Sequence, residues 1–347
     1  MSLFKGIKLW DTVTSAYLGL KFRGGSPQIC AQTYLQSLAE GNITGHTAWS
    51  KTGYNSAVDA AAPEDIWSYG GTYTWPTAEM QMEVVSDSAR DQQQAITAFA
   101  TSAGGAKTLV TVTANHGLTN SDKVTISGCA TAAYNATHVI ESVLNNTFVI
   151  PVAYVLTAGA GIARGPGVNE VTLFYLTSTF VEKSVDVTLG PVTAVATGAG
   201  AADIYRVNAF RSKTVGNSGK AVGNIILRHI ADTPIYGQIS AGYTRARSSF
   251  YTIPKDQTLY ITTATFSSIG TTAGKDVIFT MRATYDDKAL AIRAFFLPFI
   301  EVGVVDGAIH IEFTVPIRLP EGVDMIVSGL AGNNTSKCSS ILRGWLE

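Results

Sequence analysis

The chain has 347 residues, 46% of them hydrophobic and 15% charged, with a formal net charge of −1. That length allows for about two to three domains with substantial cores. A near-neutral chain without a basic block does not suit nucleic-acid binding by phosphate neutralisation. The three cysteines, Cys30, Cys129 and Cys338, are far apart and lack C-x-x-C spacing. They indicate neither a disulfide framework nor a zinc site, and folding in a reducing cytoplasm is expected.

Met1–Gly25 is a basic, aromatic arm with Lys5, Lys8, Lys21 and Arg23, ending in Gly24-Gly25. It reads as a solvated arm, or as a strand that docks on a neighbour, in preference to a nucleic-acid contact. Met1–Trp10 carries lysines but no apolar stretch with a cleavage signature, so a signal peptide is not expected. Ile29–Glu40 spaces Ile29, Thr33 or Tyr34, and Leu38 at helical intervals, which predicts one short amphipathic helix stopped by Gly41.

Ala62–Thr77 reads A-P-E-D-I-W-S-Y-G-G-T-Y-T-W-P-T. Trp67, Tyr69, Tyr73 and Trp75 alternate around Gly70-Gly71, which predicts strand, turn and strand. So much aromatic area in one segment makes it an anchor, either for the core or for a neighbouring subunit. Glu79–Val85 alternates as a strand, and S-D-S-A-R-D then makes a polar turn.

The style changes over Ala95–Ala163, rich in Ala, Thr and Gly, where short β segments lie between turn residues: L-V-T-V-T, N-H-G-L, D-K-V-T-I-S-G, Y-N-A-T-H-V-I and N-N-T-F-V-I. Small-residue hinges flank it, so an inserted domain is predicted. The parent fold resumes with N-E-V-T-L-F-Y-L. After Gln238 come further strands, among them Asp276–Tyr285, where Val277, Phe279, Met281, Ala283 and Tyr285 share one face. The expected architecture is mainly β, with jelly-roll-like β-sandwich domains. Its parts are an arm and short helix (1–40), a discontinuous first β domain (41–93 plus 165–237), an inserted small β domain (94–164) and a C-terminal β-sandwich (238–347). No run of about 18 apolar residues exists, so no ordinary membrane span is expected.

Motifs for chemistry fail on inspection. G-N-S-G-K at 216–220 has Thr214 and Ala221 where a phosphate loop needs Gly and Ser or Thr, so a tight hairpin turn is predicted. Gly159–Arg164 lacks the third glycine of a dinucleotide fingerprint. None of the five histidines forms the i, i+4 pair of a zinc protease. His116 in N-H-G-L suits bonding to its own turn, and His310 with Glu312 suits a surface pair. Asp286-Asp287 are adjacent on an extended chain and point to opposite faces, so they make a polar turn and not a carboxylate pair. Arg245 and Arg247, before S-S-F-Y, suit either a polar subunit rim or a solvated strand.

Three blocks carry a family resemblance: G-N-I-T-G-H-T-A-W-S-K-T-G-Y-N at 41–55, P-E-D-I-W-S-Y-G-G-T-Y-T-W-P-T at 63–77, and V-V-S-D-S-A-R-D at 84–91. They resemble a family of virion structural proteins of tailed bacteriophages. Looser matches are Gly165–Val168, Gly216–His229, Tyr251–Ile261 and Pro320–Leu346; the family resemblance stops before Gly41 and between about Gln92 and Arg164, and the segments within Ala95–Ala163 are similar to a small β module that recurs as an insertion in phage structural proteins. The resemblance implies a non-enzymatic part of the particle, located on capsid, neck or tail and folded in the bacterial cytoplasm before assembly. The expected partners are further copies, as a trimer or dimer, and other virion proteins. No cofactor, metal, nucleic acid or membrane is expected. Trp67, Tyr69, Tyr73, Trp75, Arg245 and Arg247 are the expected interface residues, with the arm and Tyr34–Trp75 as the attachment side. The competing reading is a receptor-binding fibre or spike that contacts host surface glycan.

Overall fold

A computed structural model describes residues 37, 40, 43–102, 104–113, 115–157, 159–190, 193–270, 276–287, 292–332 and 335–347, with 285–287 and 292–297 described by backbone alone. The basic arm, and the predicted helix apart from Ser37 and Glu40, lie outside these residues.

Before the insertion run β1 (Thr47–Val58), β2 (Glu64–Asp65) and β3 (Met82–Ser86). The insertion holds β4 (Gln93–Thr101), β5 (Thr108–Val112), β6 (Lys123–Ser127), β7 (Thr137–Val139), β8 (Thr147–Ile150) and β9 (Ile162–Arg164). Next come β10 (Val168–Leu176), β11 (Glu182–Thr188), β12 (Val195–Ala196), β13 (Arg206–Val215), β14 (Ile225–His229) and β15 (Ile235–Ile239). The last group is β16 (Tyr251–Thr252), β17 (Leu259–Gly270), β18 (Asp276–Asp287), β19 (Ile292–Val305), β20 (Gly307–Leu319), β21 (Asp324–Ala331) and β22 (Ser336–Leu346). The protein is mainly β, with antiparallel sheets throughout.

Two sandwiches and a barrel account for these strands. In the C-terminal sandwich, sheet β1-β22-β17-β20 faces sheet β16-β21-β18-β19, to which β2 adds on β21. The core between them takes Val277, Phe279, Met281 and Ala283 from β18, the alternating face expected of that segment. In the central sandwich, β11-β10-β13 faces β12-β3-β14-β15 around Leu173, Tyr175, Phe210 and Leu227. The two units share β21, which is buried on both faces. Its Met325 and Val327 enter one core and Ile326 the other, as the period of two along a strand requires.

The insertion forms one six-stranded sheet in the order β7-β6-β9-β4-β5-β8. Glu141, just past β7, exchanges hydrogen bonds of 3.1 and 2.9 Å with Val149 on β8. The two outer strands thereby meet, and the sheet curls into a barrel around Phe99, Val110, Ile126, Tyr134 and Phe148. Its first and last strands are neighbours, with Gln93 opposite Arg164.

One boundary differs from the expectation. The expected first β domain includes β1, yet β1 pairs with β22 from Thr47 opposite Leu346 to Val58 opposite Ser336. Trp49 and Val58 consequently lie in the C-terminal core. Pairing between such distant segments leaves no periodic trace in either of them.

Candidate assembly surface

The aromatic segment ties the sandwiches together. Ile66 enters the C-terminal core while the adjacent Trp67 enters the central one. Trp67 is 3% exposed and Tyr73 4%. Tyr73 stacks on Phe250 at 3.9 Å and meets Trp67 and Trp75 edge-on at 5.2 and 5.0 Å. The predicted strand pair does not form beyond β2. Gly70 and Gly71 take φ of +86° and +69°, and Trp67 Nε1 closes the turn on the Gly71 carbonyl at 3.0 Å. Trp67 and Tyr73 are therefore corrected from interface to core residues, because their own chain covers them. Trp75 is half-buried, with the Arg206 guanidinium 5.2 Å from its ring centre. Tyr69 alone of the four stands out, at 50% exposure.

Buried carboxylates fix this region. Asp65 accepts the Tyr73 N–H at 2.7 Å and the Ser328 hydroxyl at 2.6 Å, with Arg282 at 3.3 Å. Burial pushes its carboxyl up despite these donors. Asn55 donates to Glu64 at 3.0 Å and to the Asp65 carbonyl at 3.2 Å. Between the sandwiches, Arg206 grips Asp324 through Nε and a terminal nitrogen, at 3.0 and 2.9 Å. Asn208 and Thr252 exchange two further bonds of 2.8 and 2.9 Å.

Asp91 gathers the motif blocks at the root of the barrel. Its carboxylate accepts the N–H groups of Val168, Val222 and Gly223 at 2.8, 2.9 and 2.6 Å, and the Ser86 hydroxyl at 3.0 Å. S-D-S-A-R-D, Gly165–Val168 and Gly216–His229 thus converge on one buried anion. A Cβ on Gly167 would sit 1.8 Å from Asp91 Oδ1.

Arg245 is exposed and Arg247 half-buried, while Ala246 between them packs on the central core. The Arg247 guanidinium lies between the rings of Tyr54 and Tyr243, at 3.9 and 3.7 Å. Its backbone N–H is held by Ser68 Oγ at 2.9 Å. Arg245 faces Arg211 across an isolated bridge, and Arg211 lies 4.5 Å from the Phe174 ring centre. Arg247 Nε is buried without a hydrogen-bond partner.

The outer face of β1-β22-β17-β20 is a four-stranded surface. The registers align Ser50, Arg343, Thr263 and Glu312 in one row and Thr52, Ile341, Thr265 and His310 in the next. At one end Tyr260 and Trp345 stack at 5.1 Å, 15° from parallel. Four strands at about 4.8 Å and some ten residues at about 3.4 Å give on the order of 600 Å². A standard interface takes roughly 800 Å² from each partner. The outer strand β20 is blunted for strand addition. Phe313, Thr314, Val315 and Pro316 stand where β17 has only Thr262, which leaves Val315 80% exposed. β19, the outer strand of the facing sheet, carries exposed Pro298.

The other candidates are placed as follows. His116 Nδ1 accepts the Leu118 N–H at 3.1 Å, and Nε2 faces the Thr147 carbonyl at 3.3 Å. His310 lies 3.5 Å from Glu312 on the surface. Gly219 turns at φ +69° beside the exposed Lys220. The side chains of Asp286 and Asp287 lie outside the described residues. Sequence reasoning missed Tyr54, Tyr243 and Tyr260–Trp345, whose signal was an aromatic at an outward position of each strand or turn. No family model matches the chain, and no curated protein matches it. A solved structure of the infectious bursal disease virus Gt strain is similar over 91% of this chain and 83% of that one. The identity is 8% and the TM-score 0.11, below the level at which a shared fold follows.

Proposed function

We propose that this protein is a non-enzymatic structural component of a tailed-phage virion, a homo-oligomer held to capsid, neck or tail by protein–protein contacts. The observation that carries this reading is the outer face of β1-β22-β17-β20, where the Tyr260–Trp345 stack lies on the same sheet as Arg343 and Ile341. Aromatic residues and arginine are enriched at protein–protein interfaces. The sequence resemblance supports the same reading. Antibody raised against the purified protein should label intact particles at a regular position, with a fixed copy number by quantitative mass spectrometry. Its absence from purified particles would overturn the proposal.

Exposed Tyr69 and Tyr243, at 50% and 43%, favour a second reading, a fibre or spike that stacks host surface glycan on tyrosine rings. Labelled protein would then bind host cells, and Tyr69→Ala with Tyr243→Ala would abolish the binding. Equal binding by that double variant removes this reading.

A further inference from the structure

Charge and bulk are distributed unevenly about the midline of the β1-β22-β17-β20 face, which runs between β22 and β17. In one row Arg343 on β22 and Glu312 on β20 flank Thr263 on β17, and Ser50 on β1 ends the row. Both charged side chains are exposed, and Arg343 makes no ion pair among the described residues. In a second row Ala48 and Arg318 lie at the two ends, with the stacked Trp345 and Tyr260 between them. A third row has Tyr54 at its β1 end and Ala308 at its β20 end. Each of these rows is small at one outer strand where it is large at the other.

Such a face is complementary to itself. A two-fold axis along the strands, over the midline, lays it on the same face of a second copy. Each row then meets itself with the outer strands exchanged. Glu312 of the second copy falls over Ser50, one strand, or about 4.8 Å, to the side of Arg343. Trp345 faces Tyr260 of the second copy, the small Ala48 receives Arg318, and Tyr54 lies over Ala308. An axis across the strands would reverse the rows, setting Arg343 on Ser339 and Glu312 on Ala308. Both charges would then be buried unpaired, which is costly. Two faces of about 600 Å² bury on the order of 1,200 Å², the lower end of the standard range for a stable pair. Aligned sheets pack in this way, with their strands within about 30° of each other.

We infer that the outer face of β1-β22-β17-β20 binds the same face of a second copy, in a two-fold pair closed by two Arg343–Glu312 contacts. The contact is isologous, so it closes on itself and does not propagate into a chain of copies. It rests on the reading that the protein works by assembly, and it deepens that reading by naming what covers this face.

The test is sedimentation of the full chain, with near-ultraviolet circular dichroism as a check on folding. Interfaces of the smallest sizes are weak, so the concentration series runs to about 100 μM. The native protein should be a dimer or a higher even-numbered oligomer; a monomer or an odd-numbered oligomer overturns the proposal. Arg343→Glu, and separately Glu312→Arg, should each weaken the pairing about tenfold or more, because both contacts then join like charges. Mixing the two variants should restore native pairing, since both contacts of the mixed dimer again join opposite charges. A contact within one chain could not be repaired by mixing. Normal pairing by either variant alone, or a mixture that stays dissociated, overturns the proposal. If a variant fails the folding check, Arg343→Gln or Glu312→Gln takes its place, and pairing equal to the native protein's then overturns it. Labelling of intact particles reads the proposed function separately. Labelled particles with a monomeric protein would sink the pairing alone, and a dimer absent from particles would sink the proposed function alone.

Discussion

A buried carboxylate stabilises a fold only as far as the donors around it offset its lost hydration. At Asp91 those donors are three backbone N–H groups and the Ser86 hydroxyl, and burial still pushes the carboxyl up. Asp91→Ala leaves these donors unmatched, and at 1–3 kcal/mol for each buried unsatisfied group the loss should be about 3 kcal/mol or more, read from the urea midpoint. A midpoint equal to the native one would remove Asp91 from this role. Lys51 presents the opposite sign. Its amine donates to the Asn208 carbonyl and lies 5.8 Å from the Phe250 ring centre. Burial pulls it down from 10.5 to about 7. Between those values the unfolded amine holds a proton that the folded one has lost, so its effect is to make stability rise with pH across that window. The melting temperature should therefore climb from pH 7 to 10 relative to Lys51→Met; parallel profiles would count against it. Neither behaviour was legible beforehand. Asp91 ended a polar turn and Lys51 sat among threonine, glycine and tyrosine, and only the distant segments packed on them set their chemistry.

For single elements, close approach explains why certain glycines lie within the motif blocks. A Cβ on Gly53 would stand 2.4 Å from the Ile66 carbonyl and 2.8 Å from Ser249 Cβ and Ser340 Oγ. Gly53→Ala must push β1 off either the 66–67 crossover or β22. We expect a loss on the order of 3 kcal/mol, within the upper range for overpacking, and a lower thermal midpoint; a change below 1 kcal/mol would show that β1 shifts freely. Alternation was readable where a strand has one buried face, as in β18. It misled where glycines turned the chain, and Trp67, Tyr69, Tyr73 and Trp75 form no single face. Their destinations depend on which core each reaches, and local spacing does not encode that.

In the whole molecule, the parent fold and the barrel have separate cores. Because Gln93 and Arg164 are ladder partners, replacing 94–163 with a short glycine-serine turn should leave both sandwiches intact. The shortened chain should unfold cooperatively with the native β-sheet circular dichroism signature. Loss of that transition would mean that the barrel supports the parent. The insertion was legible because its composition and turn density change abruptly. The allocation of β1 was not, because its partner strand lies some 280 residues further on.

That long-range pairing also has a kinetic side. A ribosome adding about 5–20 residues per second leaves Thr47–Val58 waiting roughly 15–60 s for Ser336–Leu346 to be made. Until then the C-terminal sandwich lacks a strand between β1 and β17, and Trp49 has only part of its enclosure. Nascent chains interrupted before that last strand therefore have no completed outer face on this sheet, and the order of translation itself delays closure of the C-terminal core.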